Sequence, residues 1–170
     1  MAVLAIGISS ILVLFPVGLN ASANARANDQ VPMIADVMLE NIKGIVYKLS
    51  DWSSLGSGIP TAQPADADIK SPTKNTQVMG SLYSTSKDGI YLYENGDFNA
   101  VIRIWRDLNY YSEFNIGSVT LTASDQAALN KIAAVIYVEI SWPADMAYAD
   151  RVTAGNVRTY RLELFNPEAK

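Results

Sequence analysis

The first 25 residues form an uncharged and mostly apolar run, and the first charged side chain is Arg26. Over residues 1–15 only one glycine and two serines interrupt the apolar side chains. Because an α-helix rises about 1.5 Å per residue, a helix of this length spans roughly 37 Å, enough for a hydrocarbon core of ~30 Å. The pattern predicts an apolar helix over 1–25 that delivers the rest of the chain to a membrane or holds it there.

Three interpretations of this run compete. A cleaved secretory signal would end at the small residues 21–23 or 23–25, but no lysine or arginine precedes the apolar run, and signal peptides usually begin with one. An ordinary membrane anchor is the second interpretation. The third is a helix that first lies in the bilayer and later packs inside a filament, and it depends on the residues that follow.

A second helical pattern extends over residues 26–52. Its apolar residues recur at steps of three and four, as one face of an amphipathic helix requires, and charged side chains occupy much of the other face. The whole predicted helix runs from residue 2 to residue 52 and can bend at Pro16 and Pro32. The apolar positions of its second half are Met33, Ile34, Val37, Met38, Ile42, Ile45, Val46 and Leu49.

Residues 53–78 are rich in Ser, Gly, Pro, Ala and Asp, which is typical of a loop. A loop of this length is long for a compact domain, so it is a candidate for variability or function. Asp66, Asp68 and Asp88 carry oxygen ligands of the kind that calcium prefers, but their spacing fits no EF-hand loop and solvated acidic side chains are favoured. No metal or cofactor is therefore predicted.

Residues 79–170 predict an antiparallel sheet that forms a head domain. Asn95-Gly96, between the β-rich runs 89–93 and 98–105, indicates a hairpin with a type I′ turn. That turn would place Tyr93 beside Phe98 and Tyr91 beside Ala100.

The second half of the head predicts one short helix and two long strands. The helix begins at an N-cap on Ser124 and ends near Asn130. The strands cover 134–142 and 157–165 and are expected to pair antiparallel as a wide hairpin. The fold class is therefore α+β, with the amphipathic face of residues 33–49 covering the sheet.

Composition narrows the possible functions. The net charge is −4, which disfavours a nucleic-acid partner. The chain has no cysteine and no histidine, so disulfides, thiolate zinc sites and cysteine nucleophiles are excluded and the commonest general base is missing. An enzyme is not expected.

The order of these parts resembles that of type IV pilins and type II secretion pseudopilins. The run VLAIGISSILVLFPVGLNAS looks like the pilin-modification class, closest to pilin-like subunits of the Verru_Chthon cassette type. The segments GIYLYENGDF, VIYVEISWP and TYRLELF are similar to that group's hairpin and strands. The resemblance implies a pilin-like fold, in which a long N-terminal helix with an apolar stem packs on an antiparallel sheet.

The family's mature helix carries an early glutamate and a proline about twenty-two residues in. If six family-like residues precede Met1, Pro16 falls at that proline. The family's basic leader, cleavage motif and early glutamate are not in the sequence, so no residue here is assigned the role of that glutamate.

The resemblance implies a structural subunit, a minor pilin or pseudopilin. Such a subunit waits in the inner membrane and then joins other pilin-like subunits in an extracytoplasmic or cell-surface filament, with the help of an inner-membrane assembly platform. Assembly residues in this sequence are expected within the apolar run, where Pro16 and Gly18 allow local unwinding. The side chains expected to pack are Ile6, Ile8, Ile11, Leu12, Leu14 and Phe15.

Two other functions remain open. A secreted or membrane-tethered binding module would follow if a signal peptide is removed near Ala23, although most aromatic rings that could form its contact surface are expected in the sheet core. A hydrolase with paired carboxylates such as Glu139 and Glu163 is disfavoured, because acids on adjacent strands usually form a solvent face. The aromatic candidates are Tyr83, Tyr91, Tyr93, Trp105, Tyr110, Tyr111 and Trp142.

Overall fold

The computed structural model describes residues 25–48, 52, 55–65, 73–110 and 121–166. The chain divides into two compact units, Met1–Ile34 and Ala35–Lys170. The fold is α+β, as the sequence predicts, with an N-terminal helix α1 over residues 25–46 and a six-stranded antiparallel sheet. In the first unit the described residues, 25–34, are all helical.

The sheet is a meander in which the spatial order of the strands follows their order in the chain. Each strand pairs antiparallel with the next, so short connections suffice. The strands are β1 (Lys74–Met79), β2 (Leu82–Thr85), β3 (Ile90–Asn95), β4 (Phe98–Asp107), β5 (Ala133–Ser141) and β6 (Val157–Phe165). Besides α1, the described helices are α2 (Leu55–Gly58), α3 (Ala123–Ile132) and α4 (Tyr148–Thr153).

The apolar residues of α1 fall into two rows at four-residue steps. In the row of Ile34, Met38, Ile42 and Val46 all four side chains are buried. The prediction that the whole apolar set is buried is wrong for the adjacent row, because Val37 is 43% exposed, Ile45 is 61% exposed and Met33, in the first unit, is 49% exposed. Rows one position apart point about 100° apart on a helix, so one packed surface cannot bury both.

The helix also ends earlier than predicted. It stops at residue 46, and Tyr47 and Lys48 form a turn in which the Lys48 N–H donates to the Ile45 carbonyl at 3.0 Å. Trp52, predicted as the last helical residue, instead donates its indole N–H to the Asn130 carbonyl of α3 at 3.0 Å. The indole therefore anchors the end of this segment to α3.

The predicted hairpin of β3 and β4 is present, with a different register. Asn95 pairs with Phe98 and Tyr93 pairs with Ala100, so the turn consists of Gly96 and Asp97. Only Gly96 has a positive φ, +59°, which fits a type II′ turn with glycine at its first central position rather than the predicted type I′. The rings of Tyr93 and Phe98 are diagonal neighbours and meet edge to face at 6.2 Å.

Four elements lie where no regular structure was predicted. The helix α2 and all but the last residue of β1 lie inside the predicted loop 53–78, and all six side chains of β1 are exposed. The short strand β2 precedes the predicted hairpin, and α4 lies in the predicted loop after β5. Residues 111–120 and 66–72 are outside the described residues, and so are the predictions that fall on them.

The helix α3 begins at a capping box two residues before the predicted cap. The Thr122 hydroxyl accepts a hydrogen bond from the Asp125 N–H at 3.3 Å, and the Asp125 carboxylate accepts one from the Thr122 N–H at 2.9 Å. This reciprocal pair satisfies two backbone donors that a helix start leaves free. Ser124, the predicted cap, is therefore the second residue of the helix.

We expect Thr122→Ala to lower the free energy of unfolding by about 1 kcal/mol near neutral pH. Hydrogen bonds from the Thr122 hydroxyl and N–H hold the pKa of Asp125 below its usual 3.8. A carboxyl whose pKa is lower in the folded state stabilises the fold above its unfolded pKa and loses that effect as the pH falls through the folded pKa. Urea unfolding at about pH 7 and about pH 3 should therefore show a smaller deficit at low pH. An equal deficit at both would contradict the carboxylate's part in the cap.

Candidate functional site

The residues predicted to mediate assembly, Ile6 to Gly18, lie outside the described residues. Among the helices that the structure describes, none is long and apolar enough to cross a membrane. The candidate sites below therefore belong to the second unit alone.

An apolar patch is exposed along the second half of α1. Val37 and Ile45 lie on one row of the helix with Asn41 between them. The Asn41 side-chain amide lies 3.5 Å from the sulfur of Met79, at the end of β1, and donates to the Val37 carbonyl at 2.7 Å. Met79 is 39% exposed, so the end of β1 adds apolar surface beside the helix. Contiguous exposed apolar surface is typical of sites that contact another protein or a membrane.

A pocket of about 210 Å³ opens beneath the same end of α1. Engineered apolar cavities of ~150 Å³ take up benzene, so this pocket has room for an apolar group of side-chain size. Among its described lining residues the Tyr91 phenol is the one titratable group, and its pKa is raised by burial and, less strongly, by the charge of Asp88. The lining residues are Ile42, Ile45, Val46, Leu55, Gly58, Ile59, Pro60, Gly89, Tyr91 and Ile104.

An ion pair is buried on the sheet face that carries the odd-numbered residues of β4. Arg103 and Glu139 face each other across β4 and β5 and are 2% and 4% exposed. The Arg103 Nε donates to Glu139 Oε1 at 2.8 Å. The other carboxylate oxygen accepts from Gln63 Nε2 at 3.2 Å and from the Tyr148 hydroxyl at 3.1 Å. One carboxylate thus joins β4, β5, α4 and the segment that contains Gln63.

Tyr148 and Pro64 complete the surroundings of Arg103. Its guanidinium lies 4.3 Å from the centre of the Tyr148 ring, and its Nη1 donates to the Pro64 carbonyl at 2.8 Å. A cation over an aromatic face is attracted by the ring quadrupole, more strongly where water is excluded. Both charges of the cluster are buried and hydrogen-bonded, so the cluster ties these elements together.

A second arginine is buried beside this pair. Arg151 of α4 is fully buried, and its Nη1 donates to the Ser141 hydroxyl at 2.9 Å. Its Nε and Nη2 have no hydrogen-bond partner in the part of the chain that the structure describes. Burial, and then the charge of Arg103, lowers the pKa of Arg151.

The prediction of a solvent face for Glu139 and Glu163 is wrong for Glu139. The two acids are not opposite each other, because Glu139 pairs with Thr159 and Glu163 with Val135. Glu163 is exposed and forms an ion pair with Arg161 at 3.0 Å, two residues away on its own strand. The difference arises because α4 and the segment of Gln63 cover the sheet over Glu139.

The described aromatic candidates are mostly half-buried, and only Trp142 is buried. Trp105 and Tyr137 are opposite each other on β4 and β5 and stack with ring centres 5.4 Å apart. The Arg161 guanidinium lies 5.0 Å from the centre of the Tyr110 ring. Tyr111 lies outside the described residues.

Comparison of the chain with protein-family models, with curated proteins and with solved structures finds no match in any of the three. Among the described residues no group of three or more acidic, histidine or cysteine side chains is placed to hold a metal ion.

Proposed function

We propose that this chain is a structural subunit of a type IV pilus-like or type II secretion-like filament. The apolar run 1–25 inserts in the inner membrane before assembly and packs against other pilin-like subunits afterwards. The head is carried on the outer side of the membrane, and the filament extends from there with the help of an inner-membrane assembly platform.

One observation carries this proposal: the uncharged run leads directly into α1, and α1 keeps apolar side chains on two faces. One row of α1 is buried, while Val37 and Ile45 stay exposed. A helix that only covers its own sheet needs one apolar face, so the second face is available to contact a neighbouring subunit.

The physical basis of assembly is an exchange of one apolar environment for another. In the bilayer the side chains of 1–25 contact lipid, and in a filament they contact the same segment of neighbouring subunits. Lipid tails and aliphatic side chains are similarly apolar, so the exchange itself changes the free energy little and depends on side-chain packing. The assembly platform supplies the work of extraction.

We expect Leu12→Lys to abolish incorporation into filaments and to leave the head folded. A lysine near the middle of the apolar run opposes burial of the run among apolar neighbours by roughly 2.5–3.5 kcal/mol, the value found for membrane helices. Filaments sheared from the host cells would be probed for the subunit by immunoblot. Limited proteolysis would report the fold of the head.

Leu12→Met is the matched control, because it keeps an apolar side chain of similar volume and should incorporate normally. Normal incorporation of Leu12→Lys would overturn the proposal. N-terminal sequencing of the mature protein distinguishes a filament subunit from a secreted binding module. Removal of the segment before Ala23 would leave no apolar run to assemble and would favour the secreted module.

A further inference from the structure

Among the described strands, β6 is an outer edge of the sheet and has a regular pairing with β5. All nine residues of β6 pair with β5 without a register shift, and β6 is the last strand in the sheet order. On its outer side no described strand pairs with it. Thr159, Arg161, Glu163 and Phe165 are exposed, with Phe165 at 62%.

Two backbone hydrogen bonds, one at each end of β6, show which of its residues bond to β5. The Asn166 N–H donates to the Ile132 carbonyl at 2.7 Å, and the Trp142 N–H donates to the Asn156 carbonyl at 3.1 Å. Hydrogen-bonded pairs alternate in an antiparallel ladder, so the even-numbered residues of β6 bond to β5. The backbone N–H and C=O groups of the odd-numbered residues, from Thr159 to Phe165, therefore point out from the sheet edge.

The opposite edge is less suited to pairing. The edge strand β1 has two register shifts in six residues, between Lys74 and Gln77 and between Gln77 and Met79. Such irregularities twist an edge strand and interrupt its row of donors and acceptors. Of the two edges, β6 alone offers an uninterrupted row.

The charges of β6 select one partner and one register. An antiparallel pair of β6 strands centred on Arg161 places two arginines opposite each other, and a pair centred on Glu163 places two glutamates opposite each other. Centring on Tyr160 leaves Arg161 opposite a threonine. Centring on Leu162 places Arg161 of each copy opposite Glu163 of the other, twice by symmetry, and opposite charges at facing positions are favourable.

We propose that two copies of this chain pair through β6, antiparallel and centred on Leu162, to form one continuous sheet across a two-fold axis. In this register the outward backbone groups of residues 159, 161, 163 and 165 bond to those of the second copy. Pairs centred on Arg161 or Glu163 bring like charges together, so the same charges supply specificity as well as attraction. The proposal is independent of the filament proposal, because it uses only the head.

Single introduced cysteines report the register of the two strands directly, because the sequence contains no cysteine. Leu162 faces its counterpart at a non-hydrogen-bonded pair, where the Cα atoms lie about 4.5 Å apart, within the range that a disulfide spans. The full-length Leu162→Cys chain, in mild detergent and a glutathione redox buffer, should form a disulfide-linked dimer. Variants Tyr160→Cys, Arg161→Cys and Glu163→Cys report the three other registers and should cross-link several-fold less.

Thr159→Cys is the collision control, because it is exposed, keeps both charges and lies far from its counterpart in the proposed register. Cross-linking of Leu162→Cys no stronger than that of Thr159→Cys, or strongest at another of these positions, would overturn the proposal. In the Leu162→Cys background, Arg161→Glu should lower the cross-linked fraction several-fold, and adding Glu163→Arg should restore it. Failure of the double exchange to restore the dimer would likewise count against this register.

Discussion

Glu139→Ala is expected to lower the free energy of unfolding by about 3–5 kcal/mol, the cost of removing one partner of a buried ion pair. The side chain accepts hydrogen bonds from Arg103, Gln63 and Tyr148. Its loss leaves the Arg103 charge buried without the carboxylate that neutralises it. A domain is typically stable by about 5–15 kcal/mol, so the variant would approach its stability limit.

Glu163→Ala is the matched control for this experiment. Glu163 lies on the neighbouring strand and also pairs with an arginine, but its side chain and that of Arg161 are 38% and 48% exposed. Exposed ion pairs contribute about 0.2–1 kcal/mol, so this variant should lose less than about 1 kcal/mol. Urea unfolding of the full-length chain, followed by tryptophan fluorescence, measures both losses.

A double variant distinguishes loss of the whole ion pair from loss of one of its members. In Arg103→Met with Glu139→Leu neither member of the pair is left buried alone, and apolar replacement of a buried ion pair is often neutral or stabilising. We expect it to recover most of the stability that Glu139→Ala loses. Equal losses for Glu139→Ala and Glu163→Ala would show that the buried cluster does not hold the cover of the sheet in place.

The local sequence pattern predicts those strands whose residues are clearly richer in apolar and β-branched side chains than a loop. The hairpin of β3 and β4 follows from Asn95-Gly96 between two β-rich runs, and β6 matches its predicted bounds of 157–165. The register of the hairpin was wrong by two residues, because the sequence Asn-Gly-Asp allows either Asn95-Gly96 or Gly96-Asp97 as the central pair. The strand pairing and the lack of a positive φ at Asn95 decide for Gly96-Asp97.

The elements that the sequence did not predict lack such a pattern. The strand β1 reads KNTQVM and buries no side chain, so its position depends on hydrogen bonds to β2 rather than on apolar alternation. The helix α4 has six residues and no side-chain cap. Its place is fixed by tertiary contacts such as that of Tyr148 with Glu139.

The sequence carries a signal for the buried ion pair. Arg103 interrupts the apolar run 100–105 and Glu139 interrupts the apolar run 133–140, and strands with such long apolar runs are usually buried on both faces. A buried charge is costly unless it is paired, so two opposite charges on covered strands are expected to form an ion pair. Recognising this required knowledge that β4 and β5 are neighbours, since α3 separates them in the chain.

Gly89→Ala is expected to be the second most damaging change, at about 3 kcal/mol or more. Gly89 has a φ of +72°, which costs an alanine roughly 1–2 kcal/mol. Its added Cβ would lie 2.5 Å from the Ile104 carbonyl oxygen and 2.8 Å from Pro60 Cγ. The first contact is with strand backbone that cannot move aside easily, because the Ile104 N–H also donates to the Gly89 carbonyl at 2.8 Å.

Gly96→Ala isolates the backbone contribution from the steric one. Gly96 has a similar φ of +59°, but an added Cβ there meets nothing within 4 Å. We therefore expect a loss of about 1–2 kcal/mol from the left-handed backbone alone. The difference between the urea midpoints of the two variants reports the steric cost of a Cβ at Gly89, where the backbone lies close to β4 and Pro60. This contact forms one wall of the pocket beneath α1. If the two alanine variants unfold at the same urea concentration, that wall is looser than the distances at Gly89 require.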